Sequence, residues 1–182
     1  MIQSISRGAV AAALVASAAS MQANAQAVTL AGGARMYGGD DGESALMVAV
    51  RTEFPVGTSA LVEFASSVSD VPEPTRSAVR SVFEAQVQLP IPLGEVLTPY
   101  FGAGAGIGNV NRVSTSDDGG WKGVLSASAG VRVAVAEQLG VVVDARVRGI
   151  GTEFRGSHTD LTVGLRYQLN RPDRPRFRGA PR

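Results

Sequence analysis

The sequence contains no cysteine. That excludes a disulfide framework, thiolate metal ligation and thiol chemistry. It also excludes a lipoprotein, whose lipid is carried by a cysteine at the new N-terminus. There is one histidine, His158. A single imidazole does not build a typical transition-metal site, and its place at a loop-to-strand boundary marks it as a solvated rim residue. Lys and Arg number 17 against 16 Asp and Glu, so no broad basic face invites nucleic acid. Beyond the first 25 residues no apolar run reaches the ~20 residues of a spanning helix. Such a chain can enter a bilayer only as a closed barrel, because an open sheet edge leaves backbone groups unsatisfied in lipid.

Residues 1–25 stand apart from the rest. One basic residue, Arg7, precedes a small apolar run over 8–20, and Ala23-Asn24-Ala25 fits the small-x-small rule of signal peptidase. These are the three parts of a secretory signal peptide. Cleavage near Ala25 leaves a chain starting at Gln26. The remainder divides into one domain, 26–170, and an Arg/Pro-rich tail, 171–182, with five arginines and three prolines. The tail cannot form a core and is expected to be disordered.

Within 26–170 the dominant signal is alternation with period two, which places successive side chains on opposite faces of a strand. Leu125, Ala127, Ala129, Val131, Val133 and Val135 share one face; Ser126, Ser128, Gly130 and Arg132 share the other. Over 139–147 the apolar face carries Leu139, Val141, Val143, Ala145 and Val147, opposed by Asp144, Arg146 and Arg148. The last run sets Leu161, Val163, Leu165, Tyr167 and Leu169 against Asp160, Thr162, Gly164, Arg166 and Gln168. Earlier runs at 27–37, 44–54, 59–67, 81–89 and 97–108 bring the total to eight strands. Short turns at 55–58, 90–97 and 136–138 alternate with longer polar segments at 67–80, 109–120 and 149–157. Short turns on one rim and longer loops on the other are the pattern of an eight-stranded antiparallel up-and-down transmembrane β-barrel. Strands of about ten residues are long enough to cross a bilayer when tilted.

In such a barrel the apolar face meets lipid and the polar face lines the lumen. The lumen would gather Arg35, Arg51, Lys122, Arg132, Arg146, Arg148 and Arg166 with Glu53, Glu63, Glu84, Asp144 and Asp160. Eight strands leave room only for side chains inside. Unpaired burial costs several kcal/mol per ion, so these charges must pair. The acids fall mainly on the second to fourth strands and the bases mainly on the sixth to eighth, so pairing is expected across the bore. Aromatics at the membrane interfaces would be Phe64, Phe83 and Trp121 at the loop ends, with Phe54, Phe101 and Tyr167 near the short turns.

Gly102, Gly104, Gly106 and Gly108 recur at period two. A dinucleotide fingerprint needs a different spacing and a following helix. They are read instead as lumen-facing positions that leave space for arginines opposite. Asp40-Asp41 and Asp117-Asp118 lack the rest of a calcium loop and are read as turn chemistry. No nucleophile elbow accompanies the available Ser, Asp and His. No catalytic residue, cofactor or metal ligand is expected.

The stretch Pro99-Tyr100-Phe101-Gly102-Ala103-Gly104-Ala105-Gly106 is similar to the PYxGxGxG strand of small bacterial outer-membrane β-barrel domains, the eight-stranded OmpA, OmpX and opacity-protein type. The stretch from Ala129-Gly130-Val131-Arg132 to Asp144-Ala145-Arg146 resembles that family's penultimate hairpin. Val163-Gly164-Leu165-Arg166-Tyr167-Gln168-Leu169 resembles its last strand, which the barrel-assembly machinery reads. Leu169 stands where such strands usually end in an aromatic, and a tail follows. The resemblance implies a location in the outer membrane of a Gram-negative-type bacterium. It implies outer-membrane lipid and the assembly machinery as partners. The arginines of the tail add a possible anionic envelope polymer. The expected role is structural or surface contact through the loops, with a charged, plugged lumen. A narrow pore for small solutes and a soluble periplasmic barrel around an apolar ligand are the alternatives.

Overall fold

The computed structural model describes residues 26–37, 44–69, 77–112, 120–151 and 158–169. The signal segment, the tail and the aspartate pairs at 40–41 and 117–118 lie outside the described residues. So do most of the long connections.

Eight strands follow in chain order: β1 (Ala27–Tyr37), β2 (Ser44–Val56), β3 (Ala60–Ser69), β4 (Ser77–Pro90), β5 (Leu97–Arg112), β6 (Gly120–Ala134), β7 (Leu139–Ile150) and β8 (His158–Gln168). Each pairs antiparallel with its neighbour, and β8 returns to β1, so the barrel is closed and has no edge. The expected up-and-down topology is the one observed. Several strands run further at their loop ends than alternation alone indicates; β6, for example, begins at Gly120 and not at Leu125. Over 120–123 two glycines and Lys122 interrupt the alternation, so hydropathy loses the strand, while backbone pairing with β5 continues through Trp121 to Gly120.

The described turns join strands at one rim. Gly57 and Gly94 there take left-handed backbone angles, φ 64° and 80°, which glycine adopts without a Cβ penalty. At Leu93 a small loop closes on itself, its N–H donating to the Leu97 carbonyl at 2.8 Å. The two ends of the barrel meet at this rim too, where the Leu169 N–H donates to the Gln26 carbonyl at 2.8 Å.

The register sets the shape. Following paired residues round the barrel leads from Ala27 through Glu53, Glu63, Gln86, Gly104, Ser126, Arg148 and His158 to Tyr37. The circuit returns to β1 ten residues from its start, at Tyr37 instead of Ala27. With eight strands this stagger gives a tilt of about 40° and a radius of about 8 Å. A bore of that size is filled by side chains.

The two faces separate sharply. Leu46, Leu165 and Leu30 point outward at 79%, 61% and 60% exposure, while Arg35, Arg146 and Asp160 inside are 0% exposed. A soluble barrel around an apolar ligand would need the opposite arrangement. The polar lining is not complete, however. Val82, Val110, Val124 and Ile150 face inward and form a small buried apolar cluster towards the loop end of β4 to β7. The lumen-facing glycines also differ from expectation. A Cβ on Gly104 would strike the Ala85 carbonyl and the Gln86 side chain, and one on Gly102 would meet Ser128, Gln88 and Gln86. At Gly102 and Gly104 the nearest occupants of that space are Ser128, the glutamines and the close-lying β4 backbone.

Candidate functional site

The lumen is where the chemistry-bearing side chains converge. Alternation on tilted strands delivers them there, because every second residue must leave the lipid face. The structure joins eleven of the twelve ionisable residues expected in the lumen into ion pairs.

Near the short-turn rim, Glu53 holds two arginines. Arg166 Nε and Nη2 donate to its Oε2 at 3.1 and 2.8 Å. Arg132 Nε donates to its Oε1 at 3.3 Å. The Arg132 guanidinium also lies 4.0 Å above the Tyr100 ring and donates through Nη2 to Gln88. Tyr100 carries the lattice onward by donating its hydroxyl to Asp144 Oδ2 at 2.6 Å. Asp144 pairs with Arg51 at 3.0 Å and with Arg146 at 3.4 Å. Arg51 donates to Thr162 as well, at 2.6 Å.

Arg146 is the hub of the middle level. It donates to Glu63 at 2.7 Å and also to Glu84. Towards the loop rim, Arg148 bridges Glu84 and Asp160. Asp160 receives Arg35 Nε and Nη2 at 2.8 and 3.0 Å. Arg35 further donates to Ser67 at 3.0 Å and Ser69 at 3.2 Å. Pairs such as Glu53 with Arg132 and Glu63 with Arg146 join strands four apart in the closed order, β2 to β6 and β3 to β7, and so cross the full bore. Arginine suits this task because its charge is permanent and its fork serves two carboxylates at once.

Lys122 stands outside this lattice. It lies near the loop rim opposite Gly108, half-buried, and pairs with no carboxylate among the described residues. His158 departs from expectation. It is buried, 2% exposed, against Tyr37 with ring centroids 6.1 Å apart, and its Nε2 lies 3.9 Å from Asp160 Oδ1. The tilt carries the start of β8 inside the wall, so a residue at a sequence boundary is not a residue at the solvent boundary.

The aromatics fall into two groups. Phe83 and Trp121 approach each other at 5.8 Å near the loop end. Phe54, Phe101 and Tyr167 lie towards the short turns, where Tyr167 donates to Gln138 at 3.1 Å. Phe64 is the exception to the expected grouping. It meets Phe54 edge-on at 5.7 Å, because the register sets Phe64 opposite Thr52, diagonal to Phe54.

No protein-family model matches the sequence, and no curated protein matches it significantly. Solved structures do resemble it. Neisserial surface protein A superposes with a TM-score of 0.65 at 12% identity, over 79% of this chain and 96% of that one. Ail, the attachment invasion locus protein of Yersinia pestis, gives 0.55 at 11%, over 79% and 97%. The outer membrane enzyme PagL gives 0.50 at 14%, over 79% and 99%. The fold is that of the small outer-membrane β-barrels. These three are a surface protein, an attachment invasion protein and an enzyme, so the shared barrel does not assign an activity.

Sequence reading places Ser126 and Ser128 on the lumen face but does not single out Tyr100 or Gln86. Tyr100, 1% exposed, links the two halves of the ion lattice. Gln86 donates to Ser126 at 2.7 Å and accepts from Ser128 at 2.9 Å. Parity alone flags Gln86, Ser126 and Ser128 as inward. Tyr100 lies in the glycine-rich strand β5, and its parity with Gly102 and Gly104 marks it as inward too.

Proposed function

We propose that this chain is an integral outer-membrane protein of a Gram-negative-type bacterium whose lumen is plugged by its own ion lattice. It acts without catalysis, as an envelope-stabilising or surface-contact protein working through the loop rim. The observation that carries this reading is the run of six arginines and five carboxylates linked through the bore, set inside a wall whose outer face is apolar. Hydrocarbon is the solvent that favours such an outer face, and a closed barrel is the sheet that hydrocarbon tolerates. The position of His158, inside the wall beside Tyr37 and Asp160, supports a structural role for the only imidazole.

Residues 1–25 direct export and are removed near Ala25. Val163 to Leu169 serve as the strand read by the barrel-assembly machinery. The five arginines of 171–182 would meet anionic envelope polymer.

Planar-bilayer recording of the refolded chain tests the plug. A plugged lumen shows no stable single-channel steps; reproducible steps would replace this reading with that of a narrow pore. Cell fractionation tests the location, since an integral barrel needs detergent to leave the membrane.

A further inference from the structure

We infer that the lumen is wet at its short-turn end and dry at its loop end. Ordered water enters from the short-turn mouth and stops beneath a cap of Val82, Val110, Val124 and Ile150. This rests on the plugged reading and names the level at which water is stopped.

Open polar atoms mark the wet end. Arg132 Nη1 and Gln88 Nε2 are buried and have no hydrogen-bond partner. The two side chains touch, since Arg132 Nη2 donates to Gln88 Oε1. Thr29 Oγ1 and Arg51 Nε are buried and open as well, on residues paired across β1 and β2. Buried polar atoms are satisfied as a rule, and a buried water takes two to four polar partners. Each pair of open atoms offers two. Among the buried lumen charges five arginines face five carboxylates, so a neutral partner is the one these atoms call for. Arg166 shares Glu53 with Arg132, and its side chain is 16% exposed. This level therefore opens to the rim.

The loop end is built differently. Val82 pairs with Gly108 and Val124 with Gly106, so the two valines flank β5 where it carries no side chain. Ile150 pairs with Val124 on the other side, and Val110 completes the buried cluster. Water against these side chains would find no hydrogen bond, and small apolar enclosures stay dry. Across the bore Arg35 closes the rest of this level. It donates to Asp160, Ser67 and Ser69. Short turns face the periplasm in barrels of this type, so lumen water exchanges with the periplasm and not with the external medium.

The test uses the full folded chain. A high-resolution crystal structure should show water within hydrogen-bonding reach of Arg132 Nη1 and Gln88 Nε2, and none against Val82, Val124 or Ile150. Urea unfolding in detergent supplies a second readout. Val124→Thr places a hydroxyl in the dry cap and should raise the unfolding constant about tenfold. Val142→Thr places one beside Arg132, its cross-strand neighbour, and should change that constant less than about threefold. Water against the cap overturns the inference, as do equal effects of the two substitutions or dry donors at Arg132 and Gln88. Water against the cap with silent bilayer recordings would leave the plug to the ion lattice and remove the cap alone; channel steps would remove the plug itself. Should Val124→Thr fail to fold, the positions of ordered water in the unsubstituted chain decide alone.

Discussion

Arg146 is the residue on which most of the lumen depends. Its side chain meets Glu63, Glu84 and Asp144, and no other cation pairs with Glu63 among the described residues. Replacing it by alanine leaves a buried carboxylate without its partner, so Arg146→Ala should cost about 3–5 kcal/mol, read as a fall in the urea midpoint of the detergent-folded barrel. Arg146→Lys should recover only part of that loss, because an ammonium lacks the fork that serves two carboxylates. Tyr100 offers a finer probe. Tyr100→Phe keeps the ring under Arg132 and removes the hydroxyl from Asp144. Loss of a hydrogen bond to a charged group should cost about 1.5–3 kcal/mol, and a smaller change in the same unfolding assay would show that Arg51 and Arg146 already satisfy Asp144.

At the scale of the element, β7 and β5 illustrate the two constraints on a barrel strand. On β7 the inward positions Asp144, Arg146 and Arg148 alternate with the outward Val143, Ala145 and Val147. A slip of one residue would exchange the whole ionic set with the lipid-facing set, so its register is held from both sides. The outward face is expected to be intolerant by depth. Val163→Arg, near the middle of β8, should cost about 2–4 kcal/mol in lipid vesicles, whereas Leu93→Arg on the short-turn rim should cost about 0–1 kcal/mol. Equal costs at the two positions would contradict a bilayer around this belt. On β5 the limit is space. A Cβ on Gly104 meets backbone and side chain of β4, so Gly104→Ala should lose about 1–3 kcal/mol by overpacking, measurable by the same urea titration.

For the molecule as a whole, the stagger of ten residues fixes how much membrane the barrel can span. At a tilt of about 40° each residue advances about 2.5 Å along the axis. The outward apolar run from Trp121 to Val131 on β6 then spans about 25 Å, the height usual for such belts. The barrel should therefore insert more completely into vesicles of short-chain lipid than into thicker bilayers, as mismatch costs fractions of a kcal/mol per Å. The folded fraction can be read from the difference in gel migration between unheated and boiled samples. A yield that does not change with chain length would place the apolar belt's height outside this estimate.

Much of this architecture is legible in the chain itself. Period-two alternation with arginine on one face and valine or leucine on the other is a local property, and it determined the strands, their count and which side chains turn inward. Turn residues such as Gly57 and Gly94 marked one rim for the same reason. What only the tertiary structure decided are relations between strands distant in sequence. The register round the closed sheet chose Glu53 as the shared partner of Arg132 and Arg166, put Phe64 against Phe54, and drew His158 into the wall. It also placed Val82, Val110, Val124 and Ile150 together inside. Alternation specifies a face, but a partner depends on stagger and closure, and these are summed over all eight strands.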